Sequence, residues 1–147
     1  MAALTRVDFH FNASDKLLYG CRLVRKIYRT GQRVLVCADD PAMLSAFDQA
    51  LWSFSATDFI PHVMTGDTLE AETPVLLGAT ADQVSCHEVL VNLGQTTPTG
   101  FARFERLIEV VGLDQADREP GRERWRFYRD RGYQVTTHDI AALEAKR

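Results

Sequence analysis

The stretch Arg33–Trp52, "RVLVCADDPAMLSAFDQALW", indicates the fold class. It opens with a short apolar run, Arg33–Ala38, which is typical of a strand buried on both faces of a sheet. A helix is predicted to follow, because Asp40 is a good N-cap and Pro41 suits the first helical turn. A buried strand that leads into a capped helix is the repeating unit of an α/β domain.

The segment before this unit has the same organisation. Val7–Phe11 alternates apolar and polar residues and predicts a strand. A helix should follow, with Asn12 or Ser14 as its N-cap and Gly31 just past its end. Four residues fall on one face of that helix: Leu17, Cys21, Val24 and Tyr28.

The alternation continues after an irregular segment at 53–73. Further strands are predicted at Pro74–Ala79, Glu88–Gly94, Arg106–Gly112 and Tyr133–Asp139. A short helix is expected within 97–104, a longer one from Pro120 to about Arg131, and a short helix or frayed tail after Asp139. We therefore expect one domain over residues 1–147: a three-layer, Rossmann-like α/β fold with about five to seven mostly parallel strands and helices on both faces.

Composition points to a soluble cytoplasmic protein. No apolar run approaches the roughly 20 residues that span a bilayer, and the N-terminus lacks a signal-peptide pattern. Cys21, Cys37 and Cys86 are odd in number and form no CxxC motif. They are therefore expected to be small buried hydrophobic residues that remain reduced.

Charge is spread unevenly along the chain. Residues 1–37 carry seven Lys or Arg against two Asp, whereas residues 38–100 carry nine acids and no Lys or Arg. Residues 101–147 carry ten basic residues against nine acids. Such asymmetry suggests two surfaces of different character, which would suit two kinds of partner.

The usual catalytic motifs are absent from the sequence. It contains no G-x-G-x-x-G, Walker A, H-E-x-x-H or G-x-S-x-G pattern. Asp39 and Asp40 follow a predicted parallel strand, where α/β active sites usually lie, but the same residues make a good helix start. A nucleotide-using or metal-dependent enzyme, with its site at this pair and the loop after Asn92, is the alternative hypothesis. The sequence favours a non-catalytic binding module that needs no cofactor or metal.

The segment Gly121–Tyr133, "GRERWRFYRDRGY", is rich in arginine and aromatic residues. On a helix, one face would carry Arg122, Trp125, Arg126 and Arg129. Three interpretations are open: a solvated helix that pairs with its own acids, a nucleic-acid surface, or a site for an acidic peptide with an apolar end. The net charge of −3 disfavours general nucleic-acid binding.

The segment Leu51–His62, "LWSFSATDFIPH", resembles the chi subunit family of bacterial DNA polymerase III holoenzyme. The residues that carry the resemblance are Leu51, Trp52, Phe59, Pro61 and His62. "VLVNLG", "IEVV" and the arginine helix are similar to further family segments, so the resemblance covers nearly the whole chain.

The resemblance implies a non-catalytic adaptor between two proteins. One surface of this family binds the acidic, phenylalanine-ended C-terminal tail of single-stranded DNA-binding protein. The tail site would include Arg122, Trp125 and Arg126, with Arg129 assisting and Leu113 as a further candidate. Direct contact with nucleic acid or membrane is not expected.

The second surface implied by the resemblance binds the psi subunit, which joins chi to the clamp loader. It would include Trp52, Phe59, Pro61 and His62, and a helicase-like repair protein can share it. The residues alone leave another interpretation open, in which Trp52 packs inward and Phe59 pins its loop to the core.

Overall fold

In the computed structural model, which describes residues 4–55, 57, 59–82 and 84–145, seven parallel strands form one sheet. The strands are β1 (Arg6–Ala13), β2 (Val34–Cys37), β3 (His62–Met64), β4 (Val75–Gly78), β5 (Val89–Asn92), β6 (Arg106–Gly112) and β7 (Val135–Asp139). The helices are α1 (Lys16–Arg29), α2 (Pro41–Ser53), α3 (Gln115–Asp130) and α4 (Ile140–Ala145). The strand order is β3-β4-β2-β5-β6-β1-β7.

Two hydrophobic layers separate the sheet from its helices. Residues of α1 and α2 pack on one face of β2 with Val34 and Val36, whereas Leu35 and Cys37 face the layer that includes α3. All four residues of β2 are buried, because helices cover both faces of the parallel sheet. The predicted three-layer α/β fold is confirmed.

The three cysteines are free and buried, as predicted. Burial raises the pKa of the Cys21 and Cys37 thiols to about 12, and it also raises the pKa of Cys86. A thiol with a raised pKa stays protonated and unreactive at neutral pH.

Some predicted boundaries were wrong. The N-cap of α1 is Asp15, whose side chain accepts a hydrogen bond from the Leu18 amide, not Asn12 or Ser14. The segment predicted to be irregular contains β3, which pairs with β4 at the edge of the sheet. Only the single 3-10 turn Phe101–Arg103 forms in the segment 97–104.

Helix α3 begins five residues before the predicted start at Pro120, which lies inside it. Proline has no amide hydrogen to donate to the carbonyl four residues earlier, that of Ala116. The side-chain amide of Gln95 donates to this carbonyl at 3.1 Å. A contact from the β5–β6 connection thus satisfies the group that Pro120 leaves free.

Helix α3 is fixed to the sheet by a buried carboxylate. Glu109 of β6 has no solvent exposure, and it accepts hydrogen bonds from Arg124 Nε at 3.1 Å and Tyr128 Oη at 2.7 Å. Asn92 of β5 donates to the same carboxylate at 2.9 Å. Burial raises the pKa of Glu109, whereas the Arg124 charge and the three donors favour the ionised form.

Replacement of Arg124 by alanine should destabilise the protein strongly. It would leave the Glu109 carboxylate buried without its counter-charge, which typically costs about 3 kcal/mol or more in the free energy of unfolding. Urea denaturation measures the change. Arg126→Ala, at an exposed position of the same helix, is the matched control and should stay within about 0.5 kcal/mol of wild type. Equal effects of the two substitutions would contradict this role of Glu109.

Candidate protein-binding surfaces

A pocket of about 280 Å³, the slot, lies between α3 and the strands β6, β1 and β7. Its apolar lining comes from Phe9, Phe11, Val111 and Trp125. The remaining lining residues are Asn12, Gly112, Arg118, Gly121, Arg122 and Thr137. The slot therefore combines an apolar interior, one aromatic wall and two arginines.

Two local features of the backbone shape the slot. A Cβ at Gly121 would come within 3.1 Å of the Val111 side chain, so glycine lets α3 lie close to β6. The register between β1 and β6 shifts between His10 and Ala13, and Asn12 has a positive φ of 63°. This irregularity in β1 places Asn12 at the slot, where its side-chain amide donates to Asp139 at 3.2 Å.

The cations at the slot are available for a ligand. Within the described part of the chain, the Arg118 and Arg122 side chains form no ion pair, and Arg122 is exposed. Arginine pairs well with carboxylates through two parallel hydrogen bonds. The slot can thus accept an apolar ring and hold anionic groups beside it.

The structure brings some predicted tail-site residues together and separates others. Arg122 and Trp125 line the slot, and Arg129 lies over the Trp125 ring, with Cζ 4.4 Å from the ring centroid. Arg126 is exposed and is not a lining residue. Leu113 is 50% exposed and lines a different depression, between α1 and α3.

Arg118 belongs to the slot but was missed at the sequence level. The predicted helix starts at Pro120 and therefore does not include Arg118. Because α3 begins at Gln115, Arg118 lies one turn before Arg122 on the same side of the helix. The spacing of the two arginines was a usable signal once the helix start was known.

A second candidate surface, the aromatic surface, is formed by Trp52, Phe59, Pro61 and His62. Trp52 and Phe59 are 53% and 64% exposed, and the centroids of their rings lie 5.4 Å apart. The alternative interpretation, in which Trp52 packs inward and Phe59 pins its loop to the core, is therefore wrong. Exposed neighbouring aromatic rings are typical of protein-protein interfaces.

His62 lies buried beneath this surface and packs against the Trp52 ring. It is buried, its ring centroid lies 4.6 Å from that of Trp52, and its Nδ1 lies 2.7 Å from the Ile60 carbonyl oxygen. Its Nε2 lies 3.0 Å from Asp48 Oδ1, but the atoms are poorly aligned for a hydrogen bond. Pro61 is half-buried. His62 thus positions the Trp52 ring and exposes little surface of its own.

The residues of the alternative enzyme hypothesis have structural partners. Asp40 caps α2 by accepting from the Ala42 amide at 2.9 Å, and Asp39 accepts from the Gln95 amide at 3.2 Å. The Asn92 side chain donates hydrogen bonds to the Thr96 carbonyl and to Glu109, and it accepts one from the Gly94 amide. Among the described residues, no three His, Cys, Asp or Glu side chains are grouped so that they could hold a metal ion.

The same part of the chain contains no helix that is long and apolar enough to cross a membrane. The fold and its surfaces together define a Rossmann-like α/β domain with two candidate protein-binding surfaces. The family model described as "DNA polymerase III chi subunit, HolC" matches residues 4–136, and the chain belongs to this family.

Similar proteins agree with that assignment. The chain is 36% identical over 144 residues to the DNA polymerase III subunit chi of Pseudomonas aeruginosa. The matched region covers 95% of this chain and all of the relative. It is 27% identical to the subunit chi of Haemophilus influenzae, over 82% of this chain and 84% of the relative. It is 25% identical to that of Escherichia coli K12, over 80% of each.

Substitutions on the aromatic surface should lower the free energy of unfolding little at exposed Trp52 and more at buried His62. Trp52→Ala removes a largely exposed ring and should lower the free energy of unfolding by less than about 1 kcal/mol. His62→Ala removes a buried ring and its bond to Ile60, and should cost about 1–3 kcal/mol. Thermal and urea denaturation of the two variants provide the comparison. A larger loss for Trp52→Ala would show that this tryptophan is a core residue.

Proposed function

We propose that this chain is a non-catalytic adaptor of the bacterial replicative polymerase and acts in the cytoplasm. In this proposal the slot binds the acidic, phenylalanine-ended tail of single-stranded DNA-binding protein. The aromatic surface binds the psi subunit and so connects the chain to the clamp loader. Membership of the chi family supports this role.

The observation that carries the tail assignment is the combination of an apolar slot with two arginines that have no partner among the described residues. The terminal phenyl ring would enter between Trp125 and Val111, and the carboxylates would lie beside Arg118 and Arg122. Ion pairs at the rim are screened by salt, whereas burial of the ring is not. Affinity should therefore fall with salt but not vanish.

The psi assignment rests on the exposure and chemistry of the aromatic surface. The rings of Trp52 and Phe59 lie side by side, tilted by 37°, in the part of the sequence that contains no Lys or Arg. Large aromatic residues often dominate the free energy of binding at interfaces. A helicase-like repair protein could use the same surface, in competition with psi.

Fluorescence anisotropy of a labelled acidic peptide ending in Ile-Pro-Phe tests the tail assignment. Arg122→Ala should weaken binding by about 1–3 kcal/mol, because it removes charge-assisted contacts. Arg22→Ala is the matched control, since Arg22 is exposed on α1, on the other side of the sheet. Unchanged affinity of the Arg122 variant would remove this residue from the site, and absence of binding by wild type would refute the tail proposal.

Calorimetric titration with psi tests the second surface independently. Trp52→Ala should reduce psi affinity at least tenfold, because it deletes an exposed anchor ring. Its affinity for the acidic peptide should equal that of wild type. Normal psi binding by this variant would contradict the assignment, whereas loss of both activities would indicate misfolding.

A further inference from the structure

Strand β7 presents an open edge next to the slot. Within the described residues it pairs only with β1, and its sequence, Val-Thr-Thr-His-Asp, contains three β-branched residues, neither Lys nor Pro, and a single carboxylate at its last position, where Asp139 accepts from Asn12. Edge strands are usually protected from pairing by charge, proline or shortness. The opposite edge, β3, has only three residues, whereas β7 has five. The β7 edge is thus competent to pair with another strand.

The register determines which backbone groups face outward. Val7 is in register with Val135, and the Val7 amide donates to the Gln134 carbonyl at 3.1 Å. In a parallel ladder, the even-numbered residues of β7 therefore bond to β1. The N–H and C=O groups of Val135 and Thr137 point away from the sheet.

Thr137 connects this edge to the slot. It is in register with Phe9, and both residues line the slot on the α3 side of the sheet. Side chains alternate between the two faces of a strand. A strand added beside β7 would therefore place every second side chain on the α3 side, next to the slot.

The arginines on this side of α3 form a row whose length is similar to that of such a strand. Arg118, Arg122 and Arg129 lie along one side of the helix with Trp125, over about 16 Å at 1.5 Å per residue. The five residues of β7 span about 13 Å from the first Cα to the last. The arginine row is thus long enough to face every residue of a strand paired with β7.

We propose that the acidic peptide docks as an eighth strand on β7, in addition to inserting its terminal ring into the slot. This inference rests on the proposed function of the slot. The peptide runs parallel to β7, because its C-terminal ring lies near the carboxyl end of that strand and its preceding residues extend toward Arg129. Backbone hydrogen bonds to Val135 and Thr137 hold it, and its acidic side chains face the arginine row.

Hydrogen exchange measured by NMR on the intact chain tests the proposal. The probes are an acidic nonapeptide ending in Ile-Pro-Phe and N-acetyl-phenylalanine, which can fill the slot but cannot form a strand. Both should shift the Trp125 indole resonance. Only the nonapeptide should slow exchange of the Val135 and Thr137 amides, by tenfold or more.

Backbone-methylated peptides supply the matched control. N-methylation at one set of alternate acidic residues should reduce affinity at least tenfold, and methylation at the other set should leave it within about twofold, because only alternate amides face β7. If the nonapeptide shifts Trp125 but neither protects β7 nor responds to methylation, side chains alone hold it, and the strand proposal fails while the proposed function stands. If neither probe shifts Trp125, both fail. Protection of β7 that rises with protein concentration in the absence of peptide would assign the edge to a second copy of this chain.

Discussion

The buried carboxylate of Glu109 fixes the orientation of α3, and the slot depends on that orientation. A buried charge is tolerated only when it is paired and hydrogen-bonded, so Arg124 and Tyr128 must face the sheet. With these residues inward, Arg118, Arg122 and Trp125 are directed toward β7. The polar contacts that α3 makes with the sheet therefore determine which of its residues line the slot.

A second ion pair occupies the place where related folds bind nucleotides. Lys16, in the first turn of α1, donates to both oxygens of Asp117 in α3, at 2.9 and 3.0 Å. Asp117 also accepts from the Gly112 amide at 2.6 Å, so one carboxylate joins both helices to the end of β6. The first strand-to-helix turn lacks the glycines that cradle phosphate. The Rossmann-like scaffold thus lacks this phosphate site, and the two candidate surfaces lie elsewhere, on α3 and after α2.

The sequence predicted the features that depend on local pattern. The apolar run of β2 and the capping pair Asp40 and Pro41 determine a βα unit without reference to the rest of the chain, and the structure agrees. Strand β3 was missed because three residues carry too little pattern, and it forms by pairing with β4. The start of α3 was missed because Pro120 normally indicates a helix start, and a distant side chain, Gln95, compensates for it.

The candidate sites were also predictable only where their residues are related by local pattern. Helical spacing brought Arg122 and Trp125 together, and both line the slot. The slot residues Phe9, Phe11 and Thr137 come from distant strands, and no local pattern relates them to α3. The difference in exposure between Trp52 and His62 likewise depends on how the segment after α2 folds back onto the sheet.

The most direct test of the central claim is the position of the terminal ring of a bound acidic peptide. Intermolecular nuclear Overhauser effects can be measured between a phenylalanine-ended peptide with an isotope-labelled ring and the intact protein. Contacts from the ring to the Val111 methyl groups and the Trp125 indole are expected. Saturating binding with ring contacts only elsewhere, for example at Trp52 and Phe59, would contradict the account.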